Sequence, residues 1–159
     1  MLLKLYSKKL CDLLKNKSYT LSVAESCTGG LLSATIIANK GASEIYDSGF
    51  IVYSNQAKES LLNVPKQILE KHGAVSKETA ILLAENTKSI RKTTIALSVT
   101  GIAGPNSDNS KKPLGLVYIA LQTADNKTIV KQYNFTGSRK KIQKLVCLEA
   151  YKLILANIR

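Results

Sequence analysis

The sequence predicts an α/β protein: a three-layer α/β/α sandwich on a mixed sheet, with an antiparallel hairpin late in the chain. Three observations predict it. Between residues 2 and 99, apolar runs of strand length alternate with segments of helical period. The run from Thr94 to Val99 is nearly continuous in apolar residues, as in a strand covered on both faces. Segments 114–123 and 128–135 are separated only by Ala124-Asp125-Asn126-Lys127, the spacing of a hairpin. With 159 residues, 45% of them hydrophobic, the chain can bury one substantial core, and residues 1–159 are read as a single domain.

Taken in order, Leu2, Leu5, Tyr6, Leu10, Leu13 and Leu14 set a helix over 2–15. A first strand over 19–24 follows, then the turn Glu25-Ser26-Cys27-Thr28-Gly29-Gly30 and a short helix to about Asn39. A second strand runs over 48–53. Asn55 is a suitable N-cap for a helix over 56–62, which Val64-Pro65 breaks. A short helix over 66–71 and a loop over 72–75 lead to Ser76, the expected cap of a helix over 77–90. Its inward stripe is Ala80, Leu83, Ala84 and Thr87. The strand 94–99 ends in the glycine-rich turn 100–105, and the polar stretch 106–112 is expected to be mobile. After the hairpin, Thr136-Gly137-Ser138 opens a final helix from Arg139 to about Asn157, with an apolar face of Ile142, Leu145, Val146, Ala150, Leu153 and Ile154.

Composition excludes several function classes. There is no apolar run of membrane-spanning length and no secretory cleavage pattern at the start, so a cytoplasmic location with no membrane partner is expected. Cys11, Cys27 and Cys147 fit neither a disulfide framework nor a zinc site, and His72 is the one histidine, so no metal site is expected. Cys11 and Cys147 fall in helical patterns and read as small core residues. The formal charge of +12 points toward nucleic acid. The lysines are scattered, however, and no nucleic-acid motif is present. The charge is therefore read as a solvated surface whose positive field attracts a small anionic substrate, and nucleic acid is not the expected partner.

Three segments lie at the ends of apolar strands, where ligands of α/β sheets bind. They are 25–30, then Tyr53-Ser54-Asn55-Gln56-Ala57-Lys58, then Thr100-Gly101-Ile102-Ala103-Gly104-Pro105. A turn of hydroxyls, a thiol and two glycines between a strand and a helix allows close backbone approach and offers helix N–H groups to an anion. Taken alone, the same turn is equally explained by Thr28 capping the helix and the glycines turning the chain.

These segments, with Ala24 before the first, Gly49-Phe50-Ile51-Val52 before the second, Ser98-Val99 before the third, His72-Gly73-Ala74-Val75-Ser76, and Lys112-Pro113-Leu114-Gly115, resemble the CinA C-terminal domain family over nearly the whole chain. Stand-alone members of that family include nicotinamide-nucleotide amidases. The resemblance implies an α/β/α fold, a homodimer, no cofactor, and deamidation of nicotinamide mononucleotide to nicotinate mononucleotide and ammonia. One segment departs from the family pattern: Phe135-Thr136-Gly137-Ser138-Arg139 keeps an arginine but has Ser138 where the family often has an acid.

Amide hydrolysis needs a nucleophile, a base and donors for the oxyanion, and the residues agree with that requirement. Ser26 is the candidate nucleophile and Lys58 the base, provided it is kept neutral by its surroundings. Tyr53 is the candidate orienting or relaying hydroxyl. Amides of Thr28, Gly29 or Gly30 are the expected oxyanion donors. Arg139, with the amides of the last helix, is the candidate phosphate ligand, and Asn55, Thr100, Gly101, Ala103 and Gly104 complete the substrate-binding set. Cys27 is the rival nucleophile, with Glu25 and Lys58 imitating an acid–lysine–cysteine set; Thr28 is the third. Residues adjacent on an extended segment point to opposite sides, so a cleft-facing Ser26 sends Cys27 to the core. His72 reads as a loop residue satisfied by a neighbour. The alternative functions are a non-catalytic nucleotide-binding or regulatory module of the same fold and, from the charge, a DNA-binding protein.

Overall fold

A computed structural model describes residues 2–106 and 110–158. The elements in chain order are α1 (Leu2–Lys17), β1 (Leu21–Glu25), α2 (Leu31–Ile37), a 3-10 turn (Ala42–Glu44), β2 (Tyr46–Ile51), α3 (Asn55–Leu62), α4 (Lys66–His72), α5 (Lys77–Arg91), β3 (Ile95–Gly101), β4 (Leu116–Gln122), β5 (Thr128–Asn134) and α6 (Arg139–Asn157). The five strands form one sheet in the order β2-β1-β3-β4-β5. β1 is parallel to β2 and β3, whereas β4 is antiparallel to both β3 and β5. This is the mixed sheet with a late hairpin that the sequence predicts.

The two faces of the sheet differ in residue size. Leu21 and Val23 of β1, Leu97 and Val99 of β3, and Ile119 and Leu121 of β4 join the core made with α1, α2 and α6. The alternate positions are small: Ala24, Ala96, Ser98 and Ala120. There α5 brings Ala80 and Ala84 against Ala120, and Ser98 Oγ donates to the Ala80 carbonyl at 2.6 Å. On this second face close approach fills the gap beside Ala120, while Leu62, Leu69 and Leu83 fill it beside Ala24.

Some boundaries shift. β2 lies two residues earlier than expected, so Tyr53 is past the strand end. β4 begins only at Leu116 because Gly115 takes φ +87°, where an added Cβ would meet the Phe135 carbonyl at 1.9 Å. Ser54, not Asn55, caps α3, its Oγ accepting from the Ala57 amide at 3.0 Å. Ser76 and Ser138 cap α5 and α6 as expected. In α1 the inward positions include Ser7, Cys11 and Leu14, while Leu2 and Leu5 stay exposed. Residues 107–109 of the stretch expected to be mobile lie outside the described residues. Among the described residues, no helix is long and apolar enough to cross a membrane.

The register fixes where the site forms. Glu25, the last residue of β1, pairs with Ile51 on one side and Val99 on the other. The three parallel strands therefore end together, and the segments that leave them meet at one edge.

Candidate active site

The turn after β1 is held by a single carboxylate. Glu25 is fully buried. Its Oε2 accepts from the Thr28 hydroxyl at 2.6 Å, the Gly30 amide at 3.0 Å and the Leu32 amide at 3.1 Å. Its Oε1 accepts from the Ser33 amide at 2.8 Å and from the Ser33 hydroxyl. A carboxylate delivered from the preceding strand therefore caps α2, whose own N-cap residue, Gly30, has no side chain to do so. Tyr46 extends the network by donating to Ser33 Oγ at 2.7 Å, and burial pushes its phenol up to about 12. Gly29 and Gly30 adopt φ +59° and +97°, the left-handed region that suits glycine.

This geometry corrects one expectation. The Gly30 amide is committed to Glu25, and the Gly29 amide donates to the Ser26 carbonyl at 3.2 Å. Neither is free for an oxyanion. Of the three amides proposed, Thr28 remains.

Lys58, in the first turn of α3, is fully buried and reaches back to the end of β2. Val52 and Tyr53 lie just past the end of β2, and their carbonyls accept from Lys58 Nζ at 2.7 and 3.1 Å. Ser26 Oγ lies 3.5 Å from the same nitrogen. Burial lowers the Lys58 pKa to about 8, and among the described residues no carboxylate forms an ion pair with it. A neutral amine has two N–H donors and one lone pair. In the neutral amine, two carbonyls that only accept send the hydrogens to Val52 and Tyr53 and leave the lone pair to face Ser26, whereas the charged amine donates to Ser26 Oγ.

The rival nucleophiles are disposed of differently. Cys27 packs into the main core, and burial pushes its thiol up to about 12. The Thr28 hydroxyl is bound to Glu25. Glu25 serves the turn rather than Cys27 or Lys58, so the acid–lysine–cysteine set does not assemble. Tyr53 meets Lys58 through its carbonyl. Its hydroxyl instead lies 3.4 Å from Arg139 Nη2, and the residue is 64% exposed, which corrects its expected place as a hydroxyl acting on the serine–lysine pair.

Ser26, Lys58, Thr100, Gly101, Ala103 and Arg139 share the lining of one cleft of ≈ 180 Å³ with Tyr53 and the rival Cys27. Gly101, paired with Val117 at the end of β3, lies close to β4: an added Cβ would come within 2.9 Å of the Leu116 carbonyl. Arg139 Nη1 donates to the Gly104 carbonyl at 2.6 Å, which ties the start of α6 to the 100–105 turn. Asn55, Thr28, Gly29, Gly30 and Gly104 are not among the lining residues, and Asn55 is exposed. His72 closes α4 rather than lying in a loop, and its Nδ1 is 3.6 Å from Glu78 Oε2. Sequence reasoning missed Ala74 and Val75, which line the cleft. The only signal was their place in a family-like segment. It also missed that Glu25 organises the turn, although an acid within reach of a helix start was visible.

Fold and site together define a class: a three-layer α/β domain presenting a serine beside a buried lysine where its parallel strands end. Within that class, the chain belongs to the CinA C-terminal domain family, which matches it over residues 4–158. A competence-damage inducible protein of Caldicellulosiruptor bescii is 45% identical over 155 residues, 98% of this chain and 38% of that protein. One from Clostridium botulinum (strain Loch Maree) is 41% identical over 149 residues, 94% of this chain and 36% of that protein. The chain thus spans little more than a third of the length of these curated relatives. Among solved structures, a competence or damage-inducible protein from Enterobacter asburiae superposes with TM-score 0.95 at 29% identity, covering 99% of this chain and 98% of that one. The competence damage-inducible protein A of Klebsiella pneumoniae gives TM-score 0.94 at 27% identity and 99% coverage of both chains.

Proposed function

We propose that the protein is an amidohydrolase that deamidates nicotinamide mononucleotide to nicotinate mononucleotide and ammonia, with Ser26 as nucleophile and Lys58 as base. The observation that carries this reading is the Lys58 amine, buried without a counter-charge among the described residues, hydrogen-bonded to two carbonyls and 3.5 Å from Ser26 Oγ. Burial lowers the pKa of a lysine so placed to about 8, and its neutral form can take a proton from a hydroxyl.

In the proposed reaction Ser26 Oγ attacks the carboxamide carbon as its proton passes to Lys58 Nζ. The tetrahedral intermediate collapses when Lys58 returns that proton to the amide nitrogen, and ammonia leaves. Water then attacks the ester, giving its proton to Lys58, which passes it to Ser26 Oγ. The Thr28 amide is the proposed donor to the oxyanion. The cleft admits the carboxamide end of the substrate. Arg139 at its rim keeps donors beyond those spent on Gly104 and Tyr53, and these suit a phosphate in a field of net charge +12. The protein is further proposed to act as a cytoplasmic homodimer, without a cofactor.

The test is ammonia release from nicotinamide mononucleotide by the purified protein. Ser26→Ala and Lys58→Ala are each expected to lower the rate by a factor on the order of 10³ or more. Cys27→Ala and a chelator are expected to leave it within a few-fold. Absence of turnover by the folded protein overturns the reading and favours a nucleotide-binding or regulatory module. Loss on Cys27→Ala, with Ser26→Ala active, reassigns the nucleophile.

A further inference from the structure

Four consecutive carbonyls, those of His72, Gly73 and the cleft-lining Ala74 and Val75, each accept a hydrogen bond from a side chain. Ser76 Oγ and Thr79 Oγ1 donate to Gly73 at 3.0 and 2.8 Å. Thr100 Oγ1 donates to Ala74 at 2.7 Å. Lys112 Nζ donates to both His72 and Val75 at 2.6 Å. Ser76 and Thr79 begin the helix that follows the loop, and Thr100 belongs to the adjacent strand β3. Lys112 arrives from the β3–β4 connection and holds the first and last carbonyl of the loop together. Gly73 has φ +82°, and an added Cβ would come within 3.0 Å of the Lys112 ammonium, so the loop is wrapped closely around it. Charge-assisted bonds of this kind are roughly twice as strong as neutral ones.

We propose that Lys112 is a positioning residue: it clamps the 72–75 loop so that Ala74 and Val75 form a fixed wall of the cleft, and thereby sets substrate affinity without touching the substrate. The part of this inference that concerns substrate rests on the amidase reading of the cleft. The clamp itself does not.

The test uses the full chain, with Lys112→Met to remove the ammonium and keep most of the stem, and Lys112→Arg to restore a cation with several donors. Two readouts are taken: hydrogen exchange of the 72–76 amides, and the kinetics of ammonia release from nicotinamide mononucleotide. Lys112→Met is expected to speed exchange in 72–76 about tenfold with the remaining protected amides unchanged, and to raise KM about tenfold with kcat within twofold. Lys112→Arg is expected to recover part of both. Unchanged exchange and KM in a folded Lys112→Met overturn the proposal. So does an increase in exchange spread over the whole fold, which marks a general structural role; the Lys112→Arg protein is then the check, because under that role its KM tracks its stability. If the wild type releases no ammonia, the functional reading falls, and local exchange alone decides whether Lys112 holds the wall.

Discussion

At the turn that carries Ser26, one acceptor gathers five donors; in the 72–75 loop, side-chain donors from three parts of the chain gather four carbonyls. The first arrangement is local. Glu25 and all its donors fall within residues 25–33. The second is assembled over distance, with Thr100 and Lys112 lying 26 and 40 residues from the carbonyls of Ala74 and His72. The turn that holds the reacting group can therefore form as soon as β1 and α2 form. The wall that shapes the cleft exists only once β3 and the β3–β4 connection are in place. Breaking the first should disturb reactivity and stability together. Breaking the second should disturb affinity with a smaller loss of stability.

The largest effect is expected at Glu25. Glu25→Gln replaces an acceptor-only group with one that carries its own N–H donors, turned toward a site that already holds five. At least two buried donors lose their partner, and α2 loses the anion at its N-terminus. Urea unfolding at pH 7 is expected to show a loss of about 2–4 kcal/mol. Labelling of Ser26 by a small fluorophosphonate, a reagent that needs no substrate recognition, should slow by a larger factor than labelling in Lys112→Met. Ser33→Ala, which removes one donor and keeps the carboxylate, should fall between Glu25→Gln and the wild type. Equal labelling in all three would break the comparison.

Two lysines sharpen the same contrast. Both Lys58 and Lys112 donate to a pair of backbone carbonyls, but Lys58 is fully buried and Lys112 is not. Burial alone sets the Lys58 amine near 8, against its ordinary 10.5. The sign follows from proton counts. Between about 8 and 10.5 the unfolded chain holds a proton on Lys58 that the folded chain has released, so stability rises with pH across that window. Below about 8 both states are charged and the full burial penalty applies. Subtracting the Lys58→Met unfolding free energy at each pH should leave a difference that grows by an amount on the order of 2–3 kcal/mol from pH 7 to pH 10.5. Activity should rise through the same lower value as the amine becomes a base. A flat difference would mean that the amine is not desolvated, and the base role would go with it.

How much of this was legible follows from the same distances. The strand–turn–helix at 21–37, the caps Ser76 and Ser138, and the α5 stripe are written in local pattern, and they stand in the fold as read. Cys27 packs into the core as alternation along an extended segment implies, yet it lines the cleft together with Ser26, because both lie in the turn past the end of β1. Lys58 beside Ser26 came from family likeness joined to strand-end reasoning, since no spacing rule connects residues 32 apart. The errors have local causes too. Asn55 and Ser54 are both good caps, and their order alone could not choose between them. The free amides expected at Gly29 and Gly30 ignored an acid five residues upstream, able to fold back onto the helix it precedes. The hydroxyl role of Tyr53 assumed a strand that stops two residues sooner. Nothing in the sequence placed Thr100 or Lys112 against 72–75, because those contacts depend on which strands become neighbours.

The smallest effect is expected at Thr100, and it separates the wall from the turn most cleanly. Thr100 lines the cleft, but its hydroxyl is spent on the Ala74 carbonyl. Thr100→Val keeps the branched shape and removes only that donor, leaving the carbonyl to relax or to find water. The expected loss of stability is about 1 kcal/mol, below that of Glu25→Gln. Because Lys112 still holds the carbonyls on either end of the loop, KM should rise only a few-fold and kcat should hold. If the Thr100 hydroxyl instead donated to the developing oxyanion, Thr100→Val would lower kcat by about 10² with KM unchanged. The split between KM and kcat in this one variant thus decides whether the β3 end belongs to the wall or to the reacting centre. Combining Thr100→Val with Lys112→Met tests the wall further. If the loop is one clamped unit, the two changes should not add, since the first release already frees what the second would loosen.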